Sequence, residues 1–193
     1  MEHRLFIAIN LPEQIRIAIH EVLQTDMQNV PELYERARMR DESSLHITLL
    51  FLGDQPKESL RNIVQAMRDT IKNMPAPAIV LRTLTTAPPH RPPRMVWITT
   101  TTETNRVLEG IKTILEQNLV AQNIFQKGEV YPSFNGHITL ARLPEGRQIA
   151  DHVVSFPSAL TFSPTSIDLM ESELTPAGAT YRLLESIDFK PSA

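Results

Sequence analysis

Apolar and polar positions along the chain follow two periods. Short runs rich in Ile, Leu, Phe and Thr predict strands, and runs with apolar residues three and four apart predict helices with one buried face. Arg4–Asn10 (RLFIAIN) predicts a buried strand. Pro12 predicts the start of a helix, in the first-turn position proline tolerates. Ile15, Ala18, Ile19, Val22 and Leu23 give that helix one apolar face. The charged segment Val30–Glu42 leads into a strand over Leu45–Leu52 that Gly53-Asp54 is expected to stop. Pro56 opens a second helix, with Leu60, Ile63, Val64, Met67 and Ile71 inward. Ala78–Thr85 and Met95–Thr101 predict two strands joined by APPHRPPR, which is proline-rich and too long for a tight turn. Thr104–Asn118 predicts a third helix with Val107, Ile111, Ile114 and Leu115 inward. After a loop containing Phe125 and Tyr131-Pro132, strands are predicted over His137–Leu143, around Ala159–Phe162, around Ser166–Glu173 and at Tyr181–Phe189. This order does not repeat as parallel βαβ units. It predicts an α+β protein with helix-covered, largely antiparallel sheets.

Two of the predicted strands open on the same tetrapeptide, His-Ile-Thr-Leu, at His46–Leu49 and His137–Leu140. A histidine and a threonine two residues apart on a strand share a face. His46 with Thr48 and His137 with Thr139 therefore make two matched pairs, one in each half of the chain. Brought together, they form a site with two imidazoles and two hydroxyl donors, suited to proton transfer on both sides of a phosphorus centre. The repetition also implies a duplicated, pseudo-symmetric arrangement of two lobes.

Composition narrows the setting. With 193 residues, 41% apolar and 21% charged, the chain is long enough for one substantial domain or two small lobes sharing a core. No apolar run approaches the roughly 18 residues of a membrane span, and MEHRLFIAINLPEQ lacks the long apolar region of a secretory leader. There are no cysteines, so disulfides, zinc–thiolate sites and thiol nucleophiles are excluded. The expectation is a cytoplasmic monomer. The net charge of −3 carries no global basic bias, so any nucleic acid is expected to meet a local basic cleft that grips one end or one phosphate.

Other chemistries lack support. Two histidines without a third ligand do not make a zinc site, and no HExxH or carboxylate–histidine cluster accompanies them. No GxxxxGK[ST], GxGxxG or GxSxG pattern occurs. His3, His20, His90 and His152 stand outside any motif and are expected at the surface.

The paired H-x-T-x motifs, the N-terminal RLFIAINLPE, the blocks LHITLLFLG and PPRMVWI, and the C-terminal MESELTPAGATYRLLESIDF together resemble the RNA 2′,3′-cyclic phosphodiesterases. These belong to the 2H phosphoesterase superfamily and were formerly named 2′-5′ RNA ligases. The resemblance runs over nearly the whole chain, so residues 1–193 are expected to form one bilobal domain, each lobe bringing an antiparallel sheet and one H-x-T-x strand to a central cleft. It implies hydrolysis of 2′,3′-cyclic phosphates on RNA 3′ ends or nucleotides to 2′-phosphomonoesters, with no metal or other cofactor, no membrane partner, and 2′-5′ RNA ligation as a side activity. By position, His46 matches the acid that protonates the departing 3′ oxygen and His137 the base that activates water. Thr48 and Thr139 match phosphate-binding hydroxyls, Arg142 a phosphate-holding arginine, and Phe51 an aromatic that stacks on the terminal base. Two other readings stay open: a 2H enzyme acting on 2′-5′ oligonucleotides or small cyclic nucleotides, and a nucleotide- or RNA-binding module without turnover.

Two features sit uneasily with the resemblance. Strict alternation places Phe51 and Arg142, each five residues after its histidine, on the face opposite that histidine, unless both strands share an irregularity. And Ser133-Phe134-Asn135-Gly136 replaces the family's basic residue and proline ahead of the second histidine, which is expected to loosen the approach to that strand. Arg36, Arg38 and Arg40, and Arg91 and Arg94 beside Pro92-Pro93, are further candidates for phosphate contact, although a solvated loop charge is the more common explanation for any one of them.

Overall fold

The computed structural model describes residues 2–89, 92–125, 134–144, 152–175 and 178–191. His90, Arg91, Tyr131-Pro132 and Ser133 lie outside these. The element order is β1 (Glu2–Asn10), α1 (Glu13–Asn29), α2 (Pro31–Tyr34), β2 (Arg38–Met39), β3 (His46–Pro56), α3 (Leu60–Ile71), β4 (Ile79–Ala87), β5 (Met95–Thr100), α4 (Thr102–Ala121), β6 (His137–Arg142), β7 (Val153–Phe162), β8 (Ser166–Thr175) and β9 (Gly178–Asp188). The strands form two sheets, ordered β3-β1-β8-β9 and β2-β6-β5-β4-β7. Every strand pairing within them is antiparallel.

Each sheet contains one copy of the same unit, a strand, a helix and a second strand that opens on His-Ile-Thr-Leu: β1–α1–β3 in the first, β5–α4–β6 in the second. The helices cross over. Helix α1 packs on β7 of the second sheet, while α4 packs on β3 of the first and on α3. One continuous core joins both sheets, from Leu5, Ile7 and Ile9 through Ile47 and Leu52 to Ile98, Ile138 and Phe162. Each of these side chains contributes about 1.5–3 kcal/mol by leaving water.

Several boundaries differ from the pattern for physical reasons. Strand β3 does not stop at Gly53-Asp54. Gly53 takes a left-handed φ of 70°, which glycine adopts without strain, and the strand continues to Pro56. Strand β7 begins at Val153, well before Ala159. Pro157 interrupts its pattern, yet β7 is an edge strand, where a missing N–H is tolerated. Thr101 is the N-cap of α4 rather than a strand end, its hydroxyl accepting from the Thr104 N–H at 3.3 Å. In α4 the buried stripe is Thr104, Leu108, Ile111, Leu115 and Leu119, so Val107 and Ile114 face solvent instead of the core.

Two of the surface histidines are in fact structural. His3 Nδ1 lies 2.5 Å from the buried carboxylate of Glu171, which Arg182 also contacts. His152 Nε2 lies 2.9 Å from the buried Asp26, which also accepts from the Tyr34 hydroxyl. Both histidines face a carboxylate that burial would otherwise penalise. Burial and Asp26 in turn raise the Tyr34 pKa. His20 stays at the surface, half-exposed beside Glu42.

Candidate active site

Strand β3 brings His46 and Thr48 to one face and buries Ile47 and Leu49 on the other. Strand β6 does the same with His137 and Thr139 against Ile138 and Leu140. After the motif both strands bulge at the same point. Opposite β1, the register steps from Thr48 to Leu50 and leaves Leu49 as the extra residue. Opposite β5, it steps from Thr139 to Ala141 and leaves Leu140 as the extra residue. Two consecutive buried residues, Leu49-Leu50 and Leu140-Ala141, are the local cause. The bulges turn Phe51 and Arg142 onto the histidine face, where both are exposed. We propose that the six candidate residues belong to one site, where β3 of one sheet contacts β6 of the other.

The two imidazoles are held alike. His46 Nδ1 lies 2.7 Å from the Ser44 carbonyl oxygen, and His137 Nδ1 lies 2.7 Å from that of Asn135. A carbonyl only accepts, so each neutral ring carries its proton on Nδ1 and keeps Nε2 for proton transfer. Burial lowers the His46 pKa, the Ser44 hydrogen bond raises it, and the charges of Arg40 and His137 lower it further. The two rings sit on β3 and β6, which are in contact, and are close enough for the charge of His137 to act on His46. Burial also lowers the His137 pKa, against the Asn135 hydrogen bond.

Aromatic side chains line both walls. On the first sheet the Phe6 ring centroid is 5.0 Å from His46, 6.0 Å from Phe51 and 5.3 Å from Tyr181, and Tyr181 stands edge-on to His46 at 5.1 Å. On the second sheet Trp97 stacks on His137 at 3.7 Å. Neither Tyr181 nor Trp97 is a site candidate in the sequence, although both lie in the blocks that carry the resemblance. A lone aromatic on a strand reads as core, and periodicity does not show that Trp97 lies opposite Thr139, beside His137, or that Tyr181 reaches His46 from β9, which pairs with β8 and not with β3.

Arginines close one end. Arg38 on β2 is the direct cross-strand partner of Arg142 on β6 and reaches towards Gly178 on β9. The Arg40 guanidinium lies 5.6 Å from the Tyr181 ring centroid. None of the three pairs with a carboxylate among the described residues. Like charges directly opposed across strands repel, and a bound anion would relieve that repulsion. Arg94 sits in the approach to β5, its backbone bonded to Ala87 and Leu143. Arg36 takes a left-handed φ of 61° in the turn before β2. Among the described residues no three His, Cys, Asp or Glu side chains gather to hold a metal ion, and no helix is long and apolar enough to cross a membrane.

Residues 15–97 match the family model described as LigT like Phosphoesterase. The chain is 31% identical to a Thermus thermophilus protein named RNA 2′,3′-cyclic phosphodiesterase, over 97% of this chain and 90% of that one. The chain belongs to the LigT-like phosphoesterase family. A Methanothermobacter thermautotrophicus protein of the same name is 25% identical over 96% of this chain and 98% of its own. A crystal structure of a Thermus thermophilus protein superposes with a TM-score of 0.76 at 29% identity, covering 98% of this chain and 100% of that one. The protein is therefore a LigT-like phosphoesterase with the α+β, two-sheet fold of its relatives.

Proposed function

We propose that this LigT-like phosphoesterase opens 2′,3′-cyclic phosphates at RNA 3′ ends, leaving a 2′-phosphomonoester and a free 3′ hydroxyl. The observation that carries the reading is the pair of imidazoles in one cleft, each with Nδ1 tied to a backbone carbonyl and a threonine two residues on. His137 Nε2 takes a proton from water, whose oxygen attacks phosphorus. The bond from phosphorus to the 3′ oxygen breaks in line, and protonated His46 gives its proton to that oxygen. Such acid–base catalysis contributes about 10²–10⁴-fold. The Thr48 and Thr139 hydroxyls donate to the non-bridging oxygens, where charge accumulates in the transition state. Arg142 holds the phosphate, and Arg38 and Arg40 add the local positive field that a net-acidic protein needs to attract RNA. Phe51 is 60% exposed beside Phe6, an open ring face on which the terminal base stacks. The reading takes the enzyme to act as a cytoplasmic monomer without a metal.

Replacing either histidine tests the assignment. His46→Ala and His137→Ala are each expected to lower kcat on a nucleoside 2′,3′-cyclic phosphate by at least about 10²-fold, with circular dichroism and unfolding midpoint retained. Activity within tenfold of the parent in either variant removes that histidine from the mechanism.

A further inference from the structure

The segment ahead of His137 departs from the family pattern, with glycine where a proline is usual, yet it is not loose. The Gly136 N–H donates to Asn105 Oδ1 at 2.8 Å. The carbonyl of the same peptide unit, Asn135 O, accepts from His137 Nδ1 at 2.7 Å. A proline at 136 would have no N–H to give. The next carbonyl, Gly136 O, accepts from the Thr100 N–H at 3.0 Å. The Thr100 hydroxyl lies 2.7 Å from Asn105 Oδ1. The space is closed as well: a Cβ at position 136 would stand 2.7 Å from Thr100 Oγ1 and 2.9 Å from Asn105 Oδ1. Glycine at 136 therefore leaves the room in which Thr100 and Asn105 approach this peptide. The carboxamide orientation follows from chemistry, because only its oxygen can face a backbone N–H.

We propose that Asn105 is a positioning residue for His137, holding the Asn135–Gly136 peptide so that its carbonyl fixes the ring orientation and the Nδ1–H tautomer. An amide that donates through its N–H becomes a better acceptor at its carbonyl, so the two hydrogen bonds reinforce each other. A ring held this way presents Nε2, the atom that must accept the proton from water. Asn105 sits near the start of α4, the same helix that packs on β3 and hence on the strand of His46.

The proposal rests on His137 acting as the base, and the experiment separates the two claims. Asn105→Ala, Asn105→Asp, His137→Ala, Gly136→Ala and the Asn105→Ala/Gly136→Ala double variant are compared on a nucleoside 2′,3′-cyclic phosphate, with 15N NMR of the histidine rings. Asn105→Ala is expected to lower kcat about tenfold, the scale at which groups orienting an imidazole act, with KM little changed. It should also mix the His137 tautomers while His46 keeps Nδ1–H. Asn105→Asp keeps the acceptor and should recover the tautomer and most of kcat. Gly136→Ala should disturb the His137 tautomer in both backgrounds, because its Cβ also meets Thr100 Oγ1, which Asn105→Ala leaves in place. Unchanged kcat and an intact His137 tautomer in Asn105→Ala overturn the proposal. So does an equal disturbance of His46, which would mark a general loss of structure. If His137→Ala itself stays active, the base assignment fails whatever Asn105 does.

Discussion

The second histidine carries its own reporter. Trp97 is the only tryptophan in the chain and stacks on His137 at 3.7 Å. A protonated imidazole against an indole quenches its fluorescence, so emission should fall with pH as His137 charges. Burial lowers its pKa, which puts the midpoint below the ordinary value of about 6.5. His137→Ala should abolish the transition. The same directions fix the pH dependence of kcat/KM. The reaction needs neutral His137 and protonated His46, so the rate falls on the acid side as His137 protonates and on the basic side as His46 loses its proton. Both pKa values are lowered, so the maximum should lie below about pH 6.5. A maximum above pH 7 contradicts the assignment. At this scale the His and Thr pairs were legible because they repeat. His3, His152 and Asn105 were not, because their partners Glu171, Asp26 and Gly136 are 168, 126 and 31 positions away.

At the scale of elements, the conflict over Phe51 and Arg142 resolves through the paired bulges. The clue was present in the sequence as an apolar residue directly after each tetrapeptide, Leu50 and Ala141, which alternation would have left facing the cleft. Which strand would bulge, and where, depends on partners β1 and β5 that periodicity does not show. A second irregularity lies further along β3, where the pairing skips from Phe51 opposite Phe6 to Gly53 opposite Leu5. Gly53 adopts its left-handed φ there, a conformation that costs a side-chain-bearing residue about 1–2 kcal/mol. Gly53→Val is expected to lower unfolding free energy by about that amount in urea titrations, with the m-value unchanged. Full stability in that variant would show that β3 does not need the turn. The helices were legible from their stripes, but which sheet each one covers was not, because an amphipathic face does not name its partner.

For the whole molecule, the exchange of α1 and α4 between sheets joins the two halves through a common core. We propose on that basis that the chain folds as one bilobal domain rather than two independent ones, which fixes the distance across the cleft. A protein of net charge −3 gathers Arg38, Arg40 and Arg142 at one end of the cleft, beside an aromatic wall. We propose that this cluster meets one phosphorylated end rather than a long duplex. The central claim is that two histidines open a cyclic phosphate by expelling the 3′ oxygen. Product analysis by 31P NMR of an RNA oligonucleotide ending in a 2′,3′-cyclic phosphate, incubated with the enzyme in EDTA, tests this most directly. The account predicts a single new 2′-phosphomonoester resonance. A 3′-phosphomonoester, or an intact cyclic phosphate, would contradict it.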